Sequence, residues 1–513
     1  MGKTGNDKLI ILGFDGASPD LLEKWINEGH LPNLEALIDN GVYGSLKSVP
    51  NMSSPPAWTS LATGRNPGKH GIFRFTERNF NSYSYSYVNG GCRKAETFWD
   101  ILCGERTGCI INMPMTYPVQ PINGCMISGL DAPGIDSRGA SYPDTLLKEL
   151  NVSSAPYEIA PAFGHLLRNG GHFGDVAKLF LSSIDMRYEY VCALTKKYDW
   201  DLLAVVFSET DLAHHFFWKF IDPQHPDYSE REAKEYGDSI LKVYKKLDEV
   251  TGKLLNKNPD VTVLIVSDHG GGVNTRGGEL VNDWLESIGM LKREKTSFNP
   301  SKVFNRLYSG LAKAGYKTAT KHLSKDAKLK LTRWIPAVRG NIESAVRLGG
   351  IDWERTKAFC DGKQDDIWIN LKGRDSMGAA LESEYDEICN FICSELKDAV
   401  DVLNNKKIID SVFRREDVYE GPYIDKAADI SVNWKPDAVI HGIRTKSSPN
   451  NIKPVKWEWP YEIATGGHSL NGIFIAHGQE LKNGYRINDA QIMDIMPTIL
   501  YHFDEEIPDD VDG

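Results

Sequence analysis

The sequence lacks the long hydrophobic runs of a membrane protein. No stretch approaches the roughly 20 consecutive apolar residues that a helix needs to cross a bilayer. The opening residues, MGKTGNDKLIILGFDG, also lack the apolar run and the small-residue cleavage site of a signal peptide, and are typical of a short tail that enters a strand. We therefore expect a cytoplasmic protein without a transmembrane segment.

Cysteine is scarce and shows no pattern. The 513 residues include eight cysteines, and their spacing matches neither a zinc knuckle nor a disulfide framework. Cys389 and Cys393 lie one helical turn apart. This spacing suits a metal-binding pair or, more commonly, small buried residues on one face of an amphipathic helix.

Motifs of several common enzyme and binding classes are also missing. No Gly-x-Ser-x-Gly elbow occurs, so a lipase-type triad is not supported. The triplet Gly2-Lys3-Thr4 lacks the rest of a P-loop. The formal net charge of -11 argues against general nucleic-acid affinity, and no nucleic-acid-binding module is recognisable.

A repeated alternation of strand and helix patterns is what the sequence does contain. Hydrophobic residues make up 41% of the chain and charged residues 25%, which is ordinary for a globular protein. Nearly continuous apolar runs suit strands buried on both faces of a parallel sheet; they occur at 9–14, 109–111, 202–207 and 261–266. Helical segments such as 20–40 and 231–255 supply the crossovers. The pattern predicts an α/β fold with a largely parallel central sheet flanked by helices.

Residues 291–350 interrupt this alternation and predict an inserted helical cap. Between Leu291 and Gly340, thirteen basic residues stand against two acidic ones. A cluster of one sign concentrates anions, so the cap suits a phosphorylated substrate or, less commonly, an acidic membrane surface or partner. An ordinary solvated helical face is the alternative.

Strand-like pieces return beyond the cap, at 366–369 and 430–432. They indicate that the chain resumes its core after the insertion. We therefore expect a catalytic core over 1–290 and 351–513 and a basic cap over 291–350. The sequence does not indicate an oligomeric state.

Polar residues follow several of the predicted strands, at the edge where open α/β sheets bind ligands. Others lie in glycine-rich loops, and together they offer three carboxylates and three imidazoles: Asp15, Asp211, His215, Asp268, His269 and His468. Divalent ions take these ligands, and two neighbouring ions can hold the attacking and leaving oxygens of a phosphoryl transfer. Each residue alone is a weak to moderate signal, which a cap, turn or surface residue also explains. Only the whole set indicates two metal sites.

A serine before two prolines is the candidate nucleophile. Ser53 and Ser54 precede Pro55-Pro56, and a helix-like stretch follows. Proline suits the first helical turn, and a hydroxyl just before it lies where exposed backbone N–H groups favour an anion. The alternative is that Ser54 only caps this helix.

The ordered motifs resemble the alkaline phosphatase superfamily, within it the type I phosphodiesterase/nucleotide pyrophosphatase branch and a group of predicted phosphohydrolases or phosphomutases. The matching pieces are Gly13-Phe14-Asp15-Gly16, Ser54-x8-Thr63-Gly64, His70-Gly71-Ile72, Asp211-x3-His215, Asp268-His269-Gly270 and Gly467-His468. The resemblance covers the core on both sides of the cap and implies an alkaline phosphatase-like core.

The resemblance also implies the cofactors and the reaction. Two divalent metal ions are expected, zinc or manganese, with magnesium as a further option. One would be held by Asp211, His215 and His468. The other would be held by Asp15, Asp268, His269 and the Ser54 oxygen. The implied activity is cleavage of a phosphomonoester or phosphodiester of a phosphorylated small molecule, through a phosphoserine intermediate on Ser54.

Three further residues are candidates for substrate contacts. Relatives that act on nucleotides carry an asparagine shortly after the His-Gly-Ile segment, but here that position falls on Phe75, which argues against nucleotide pyrophosphatase activity. The neighbouring Arg74 can contact a phosphate with two hydrogen bonds or lie on plain surface. Asn112 follows a strand, and His214 precedes a proposed ligand, where it can also support the site from a buried position.

Other functions stay open. A phosphomutase of the same superfamily needs a domain that closes over the substrate, which the cap can supply. A degenerate binding protein would keep the fold without the chemistry, but the presence of all six ligands and Ser54 argues against it. A sulfatase is not supported, because the segment Ser54 to Trp58 lacks the arginine of the sulfatase motif.

Overall fold

The computed structural model describes residues 8–150, 152, 155–168, 171–274, 277–294, 348–361, 365–438, 440–449 and 464–513. These residues form two compact units. Unit 1 contains the described residues of 8–74, 89–274 and 464–513. Unit 2 contains residues 75–88 and the described residues between 277 and 449.

The described strands, in chain order, are β1 (Leu9–Phe14), β2 (Val42–Lys47), β3 (Thr76–Asn79), β4 (Ser84–Tyr87), β5 (Gly108–Met113), β6 (Gly124–Ser128), β7 (Ser141–Tyr142), β8 (Leu202–Phe207), β9 (Thr262–Val266), β10 (Gly270–Val273), β11 (Ala358–Cys360), β12 (Asp366–Ile369), β13 (Val400–Asp401), β14 (Ile409–Arg414), β15 (Ile430–Trp434), β16 (Ile443–Arg444), β17 (Gly466–Ser469), β18 (Asn471–His477) and β19 (Tyr485–Gln491).

The described α-helices are α1 (Pro19–Asn27), α2 (Pro32–Asp39), α3 (Ser54–Thr63), α4 (Pro67–His70), α5 (Phe98–Leu102), α6 (Leu146–Glu149), α7 (Gly164–Arg168), α8 (Phe173–Lys197), α9 (Glu209–Phe217), α10 (Glu230–Tyr236), α11 (Ser239–Lys257), α12 (Gly278–Ser287), α13 (Tyr385–Lys397), α14 (Arg415–Val418) and α15 (Ile495–His502). None of the helices in the described ranges has both the length and the apolar character that crossing a bilayer requires.

Unit 1 is built on a nine-stranded sheet in the order β19-β2-β18-β9-β1-β8-β5-β6-β7. Five of its eight neighbouring pairs are parallel, including those that β1 makes with β8 and β9. The other three are antiparallel. The predicted α/β fold with a largely parallel central sheet is therefore confirmed.

The two faces of this sheet bury different residues of the same strands. In β1, Ile10, Leu12 and Phe14 enter one hydrophobic cluster, which the long helices α8, α9 and α11 complete. Leu9 and Ile11 face the opposite cluster, which helices α3, α5 and α15 complete. This period of two is that of a strand covered on both faces, and it explains why the sequence runs are almost continuously apolar.

The parallel register brings the polar residues after several strands to one edge. β1 ends at Phe14, β8 at Phe207 and β9 at Val266, and the register pairs Phe14 with Phe207 and Gly13 with Val266. Asp15, Asp211 and Asp268 therefore follow neighbouring strand ends. The short antiparallel pair β10 and β17 adds His468, which lies opposite Gly271.

Unit 2 has its own antiparallel sheet, in the order β11-β12-β15-β14, and its own hydrophobic cluster. Arg78, from the hairpin of β3 and β4, is fully buried and donates to Asp375 at 2.6 Å. Cys389 and Cys393 on α13 contribute free thiols to this cluster, as the amphipathic-helix alternative expects.

The returning strand pieces that we assigned to the core, 366–369 and 430–432, fall in β12 and β15 of this second sheet. Most of the predicted helical cap at 291–350 lies outside the described residues. The boundaries of the predicted core and cap stay a prediction.

Candidate active site

The predicted metal ligands gather in one cluster of side chains, the ligand cluster. Three of them meet on its partly exposed side. Asp211 and His215 lie one turn apart on α9, and His468 lies on β17. The Oδ1 atom of Asp211 is 3.3 Å from Nε2 of His215 and 3.5 Å from Nε2 of His468, and the two Nε2 atoms are 3.1 Å apart. Four ligands at 2.1 Å around a tetrahedral zinc ion lie about 3.4 Å from one another. The three atoms therefore have the separations that one such ion requires.

A second group is fully buried beside the first. Asp15, Asp268 and His269 are each at most 1% exposed. Nε2 of His269 lies 3.3 Å from Oδ2 of Asp268 and 3.8 Å from Oδ1 of Asp15. Neither of these carboxylate oxygens has a hydrogen-bond partner among the described residues. Buried oxygens of this kind are costly unless a cation or a donor meets them, so this group also fits a metal ion.

The two groups adjoin. The rings of His269 and His468 stack with centroids 3.8 Å apart. Single ligand atoms of Asp211, His269 and His468 also lie within 4.8 Å of one another. The ligand set is therefore continuous, as two neighbouring ions require.

All three imidazoles turn Nε2 toward the cluster, because a backbone carbonyl accepts from the other ring nitrogen. The Nδ1 partners are the carbonyl of Gly466 for His215 (2.8 Å), that of Met52 for His468 (2.6 Å) and that of Gly270 for His269 (3.0 Å). A carbonyl can only accept, so in the neutral form of each ring the proton is on Nδ1 and Nε2 can bind a metal.

Charge in the site also favours cations. Burial, together with repulsion from Asp268 and Asp211, raises the pKa of Asp15 well above its ordinary value. Burial raises the pKa of Asp268 as well. Burial opposes a charge on His215, but the Asp211 carboxylate outweighs it and raises the His215 pKa to about 9. A divalent ion would relieve the repulsion between these buried carboxylates.

Ser54 faces this cluster from the first residue of α3. Its Oγ lies 3.2 Å from Nε2 of His269. The N-cap position belongs to Ser53, whose side chain makes no capping bond. Ser54 therefore points at the ligand cluster and does not cap the helix.

The three candidate substrate contacts have different surroundings. Arg74 is half-buried and donates to the carbonyl of Asn51 at 3.2 Å, three residues before the serine. Asn112 is buried at the end of β5, has a left-handed φ of 58° and donates to the carbonyl of Val206 at 3.1 Å. Asn112 and Arg74 stay predictions as substrate contacts.

His214 is buried, unlike its neighbour His215. Its Nε2 lies 3.2 Å from the Tyr244 hydroxyl, which also accepts from the amide of Ser18. A Cβ atom added to Gly271 would lie 2.0 Å from its Nδ1. These contacts favour a supporting role for His214, and a substrate contact stays a prediction.

Two residues of the site carry no signal in the sequence. Trp58 donates from Nε1 to Oδ2 of Asp15 at 3.2 Å. Met52 has a left-handed φ of 47°, which is uncommon outside glycine, and supplies the carbonyl that orients His468. Both roles depend on tertiary contacts that spacing along the chain does not encode.

A known structure shares this fold over nearly the whole chain. Phosphonoacetate hydrolase from Sinorhizobium meliloti 1021, solved with phosphonoformate, is 13% identical, with a TM-score of 0.51 over 96% of this chain and 95% of that chain. Human ectonucleotide pyrophosphatase / phosphodiesterase 5 is also 13% identical, with a TM-score of 0.46 over 98% of this chain and 96% of that chain. At this identity the first likeness shows the fold alone.

The sequence itself identifies the family. No curated protein matches the chain significantly. The model of the family described as type I phosphodiesterase / nucleotide pyrophosphatase, in contrast, matches residues 9–449, which include Asp15, Ser54, Asp211, His215, Asp268 and His269. The chain therefore belongs to the type I phosphodiesterase/nucleotide pyrophosphatase family, in the alkaline phosphatase superfamily.

Proposed function

We propose that this protein is a two-metal phosphoric ester hydrolase in which Ser54 is the nucleophile. One observation carries the proposal: three imidazole Nε2 atoms, three carboxylates and the Ser54 hydroxyl converge on one cluster. Family membership supports the same reaction class. A site of this composition has no simple structural purpose, because buried like charges without a counter-ion destabilise a fold.

The residues divide between two divalent ions. Asp211, His215 and His468 would hold one ion, and Asp15, Asp268, His269 and the Ser54 oxygen would hold the other. Zinc or manganese suits this mixture of imidazole and carboxylate, and magnesium suits it less well. When bound, such ions lower the pKa of a hydroxyl and neutralise phosphoryl oxygens.

Ser54 is well placed for covalent catalysis. Its Oγ would form a bond to phosphorus while the bond from phosphorus to the leaving oxygen breaks, and the hydroxyl proton passes to solvent. Pro55 and Pro56 have no N–H, so the Ser54 amide is the first-turn donor available to a phosphoryl oxygen at the positive end of α3. Water would then attack the phosphoserine, release the phosphoryl group and restore the serine.

The burial of the two groups suggests how substrate approaches. The side chains of Asp211, His215 and His468 are 18% to 26% exposed, whereas the Asp15 group is closed to solvent. A phosphorylated small molecule would therefore enter from the Asp211 side. The monoester or diester preference and the expected cytoplasmic location stay predictions.

A panel of substrates and metals tests this function. Chelator-treated protein should be inactive, and zinc or manganese should restore cleavage of p-nitrophenyl phosphate or bis-p-nitrophenyl phosphate. Phosphonoacetate belongs in the panel, because the structural neighbour named above binds phosphonates. Products analysed for an isomerised phosphate ester would identify a phosphomutase.

Ser54→Ala and Ser53→Ala form a matched pair for the same assay. Ser54→Ala should lower kcat by at least about 1,000-fold with metal content unchanged, because the covalent route is lost. Ser53→Ala should retain activity, because its hydroxyl makes no capping bond. Turnover without any metal, or loss of activity in the Ser53 variant alone, would contradict the proposal.

A further inference from the structure

Trp58 connects the nucleophile helix to a proposed metal ligand. It lies four residues after Ser54 on α3, about one helical turn, and its side chain is fully buried. Its indole N–H donates to Oδ2 of Asp15 at 3.2 Å. A single side chain therefore links the helix that carries Ser54 to the carboxylate at the end of β1.

Gly13 makes room for this link. Leu9 and Ile11 of β1 face the hydrophobic cluster that contains Trp58, and the alternation of the strand gives Gly13 the same face. A Cβ atom at Gly13 would lie 2.5 Å from Cη2 of Trp58 and 2.8 Å from Cγ2 of Val206. Any larger residue at this position would force the indole or the Val206 side chain to move.

The hydrogen bond also gives the two carboxylate oxygens of Asp15 different surroundings. Oδ2 accepts from the indole, whereas Oδ1 is buried, has no hydrogen-bond partner among the described residues and lies 3.8 Å from Nε2 of His269. Fixing Oδ2 leaves the carboxylate little freedom to rotate. Oδ1 is thereby held toward the ligand cluster.

We propose that Trp58 is a positioning residue. It orients the Asp15 carboxylate for a metal ion and so fixes the position of that ion relative to Ser54. The inference rests on the proposed metal site and adds a residue outside the ligand set. Hydrogen bonds to metal ligands fix their orientation, and their loss typically costs about 10- to 100-fold in metal affinity.

Trp58→Phe removes the indole N–H and keeps an aromatic ring. We expect its affinity for Mn²⁺ to fall by about 10- to 100-fold at one of the two sites and to stay unchanged at the other. Trp99→Phe is the matched control. Trp99 is 3% exposed in the same hydrophobic cluster, so this variant removes a comparable ring and should keep both Mn²⁺ sites.

The measurement is a titration of chelator-treated protein with Mn²⁺, with free Mn²⁺ followed by electron paramagnetic resonance. Circular dichroism and thermal unfolding establish that the two phenylalanine variants are equally folded. A wild type that binds fewer than two ions would contradict the proposed function itself. A wild type that binds two ions, with a Trp58→Phe variant of the same affinity as Trp99→Phe, would overturn the role of Trp58 alone.

Gly13→Ala supplies a second route to the same answer. It keeps the indole N–H but places a methyl group 2.5 Å from Cη2 of the ring, so we expect the ring to shift and one Mn²⁺ site to weaken as in Trp58→Phe. If Trp58→Phe does not fold, the Mn²⁺ titration of Gly13→Ala tests whether Trp58 positions Asp15. Unchanged Mn²⁺ affinity in that variant would overturn the proposal.

Discussion

Backbone carbonyls determine which nitrogen of each site histidine is free. His215, His269 and His468 all direct Nδ1 to a carbonyl and Nε2 to the cluster. For His468 that carbonyl belongs to Met52, two residues before Ser54, whose φ of 47° is unusual for a residue with a side chain. The loop that carries the nucleophile therefore also orients a ligand.

His70 should make the fold sensitive to acid. It is fully buried, its Nδ1 accepts from the amide of Ile72, and its Nε2 lies 2.9 Å from the Ser60 hydroxyl on α3. Burial lowers its pKa to about 3, whereas an unfolded histidine has a pKa of about 6.5. Below a pH of about 6.5, His70 binds a proton in the unfolded chain but stays neutral in the folded chain. The free energy of unfolding should therefore fall by up to about 1.4 kcal/mol per pH unit between about 6.5 and 3.

Replacing His70 with Gln tests this dependence, because the amide does not titrate. Urea unfolding at several pH values should show a flatter slope for His70→Gln than for the wild type. His30→Gln is the control for loss of a histidine outside the core, since the His30 side chain is 34% exposed. Equal slopes for His70→Gln and the wild type would show that His70 does not carry the effect.

Single residues of the site were predictable from the sequence where their chemistry is distinctive. Asp15, Asp268 and His269 follow strand ends, and His468 lies in a glycine-rich segment, so their type and position indicated that they would lie together. Their role as metal ligands stays a prediction. Trp58 was not predictable, because nothing in its spacing from Ser54 tells which carboxylate its indole meets.

A buried ion pair holds α9, the helix that supplies Asp211 and His215. Glu209 is the first residue of α9, and its Oε1 accepts from Nη1 of Arg187 on α8 at 2.7 Å. Both side chains are fully buried, and Arg187 also donates to the carbonyl of Ile159 at 2.9 Å. Such a pair fixes the helix in one position, because moving the two groups apart would leave a buried charge without its counter-ion.

Arg187→Met should lower the free energy of unfolding by about 3 to 5 kcal/mol, because it leaves the Glu209 carboxylate buried without its partner. The double variant Arg187→Met/Glu209→Gln should recover part of this loss. Lys178→Met on the same helix is the control. Lys178 pairs with Asp175, but their side chains are 79% and 57% exposed, so its loss should cost less than about 1 kcal/mol. Denaturant unfolding measures the free energy of unfolding of the wild type and of these three variants. Equal losses in Arg187→Met and Lys178→Met would contradict the role of the pair.

The sequence predicted whole elements better than their ends and partners. The apolar run at 202–207 coincides with β8. The helical segment predicted at 20–40 is two helices, because Gly29 has a left-handed φ of 71° and α2 begins at Pro32. Periodicity identifies a strand but not its neighbour, so β12 and β15 could not be assigned to a separate sheet.

For the whole molecule, the order of the motifs was informative but the division into units was not. Unit 1 takes segments from three parts of the chain, and the parallel register still brings their polar residues to one sheet edge. Residues 75–88 belong to unit 2 although they come soon after α3. Contacts far along the chain join the segment to unit 2: Arg78 donates to Asp375, and the Tyr83 hydroxyl donates to Asn370.

Trapping the covalent intermediate tests the central claim most directly. Metal-loaded wild-type protein would be mixed with the best substrate of the panel, quenched in acid within milliseconds, digested and analysed by mass spectrometry. The account predicts a phosphorylated peptide with the phosphoryl group on Ser54, absent from Ser54→Ala and present in Ser53→Ala. A burst of product without a phosphopeptide, or a phosphoryl group on Ser53, would contradict it.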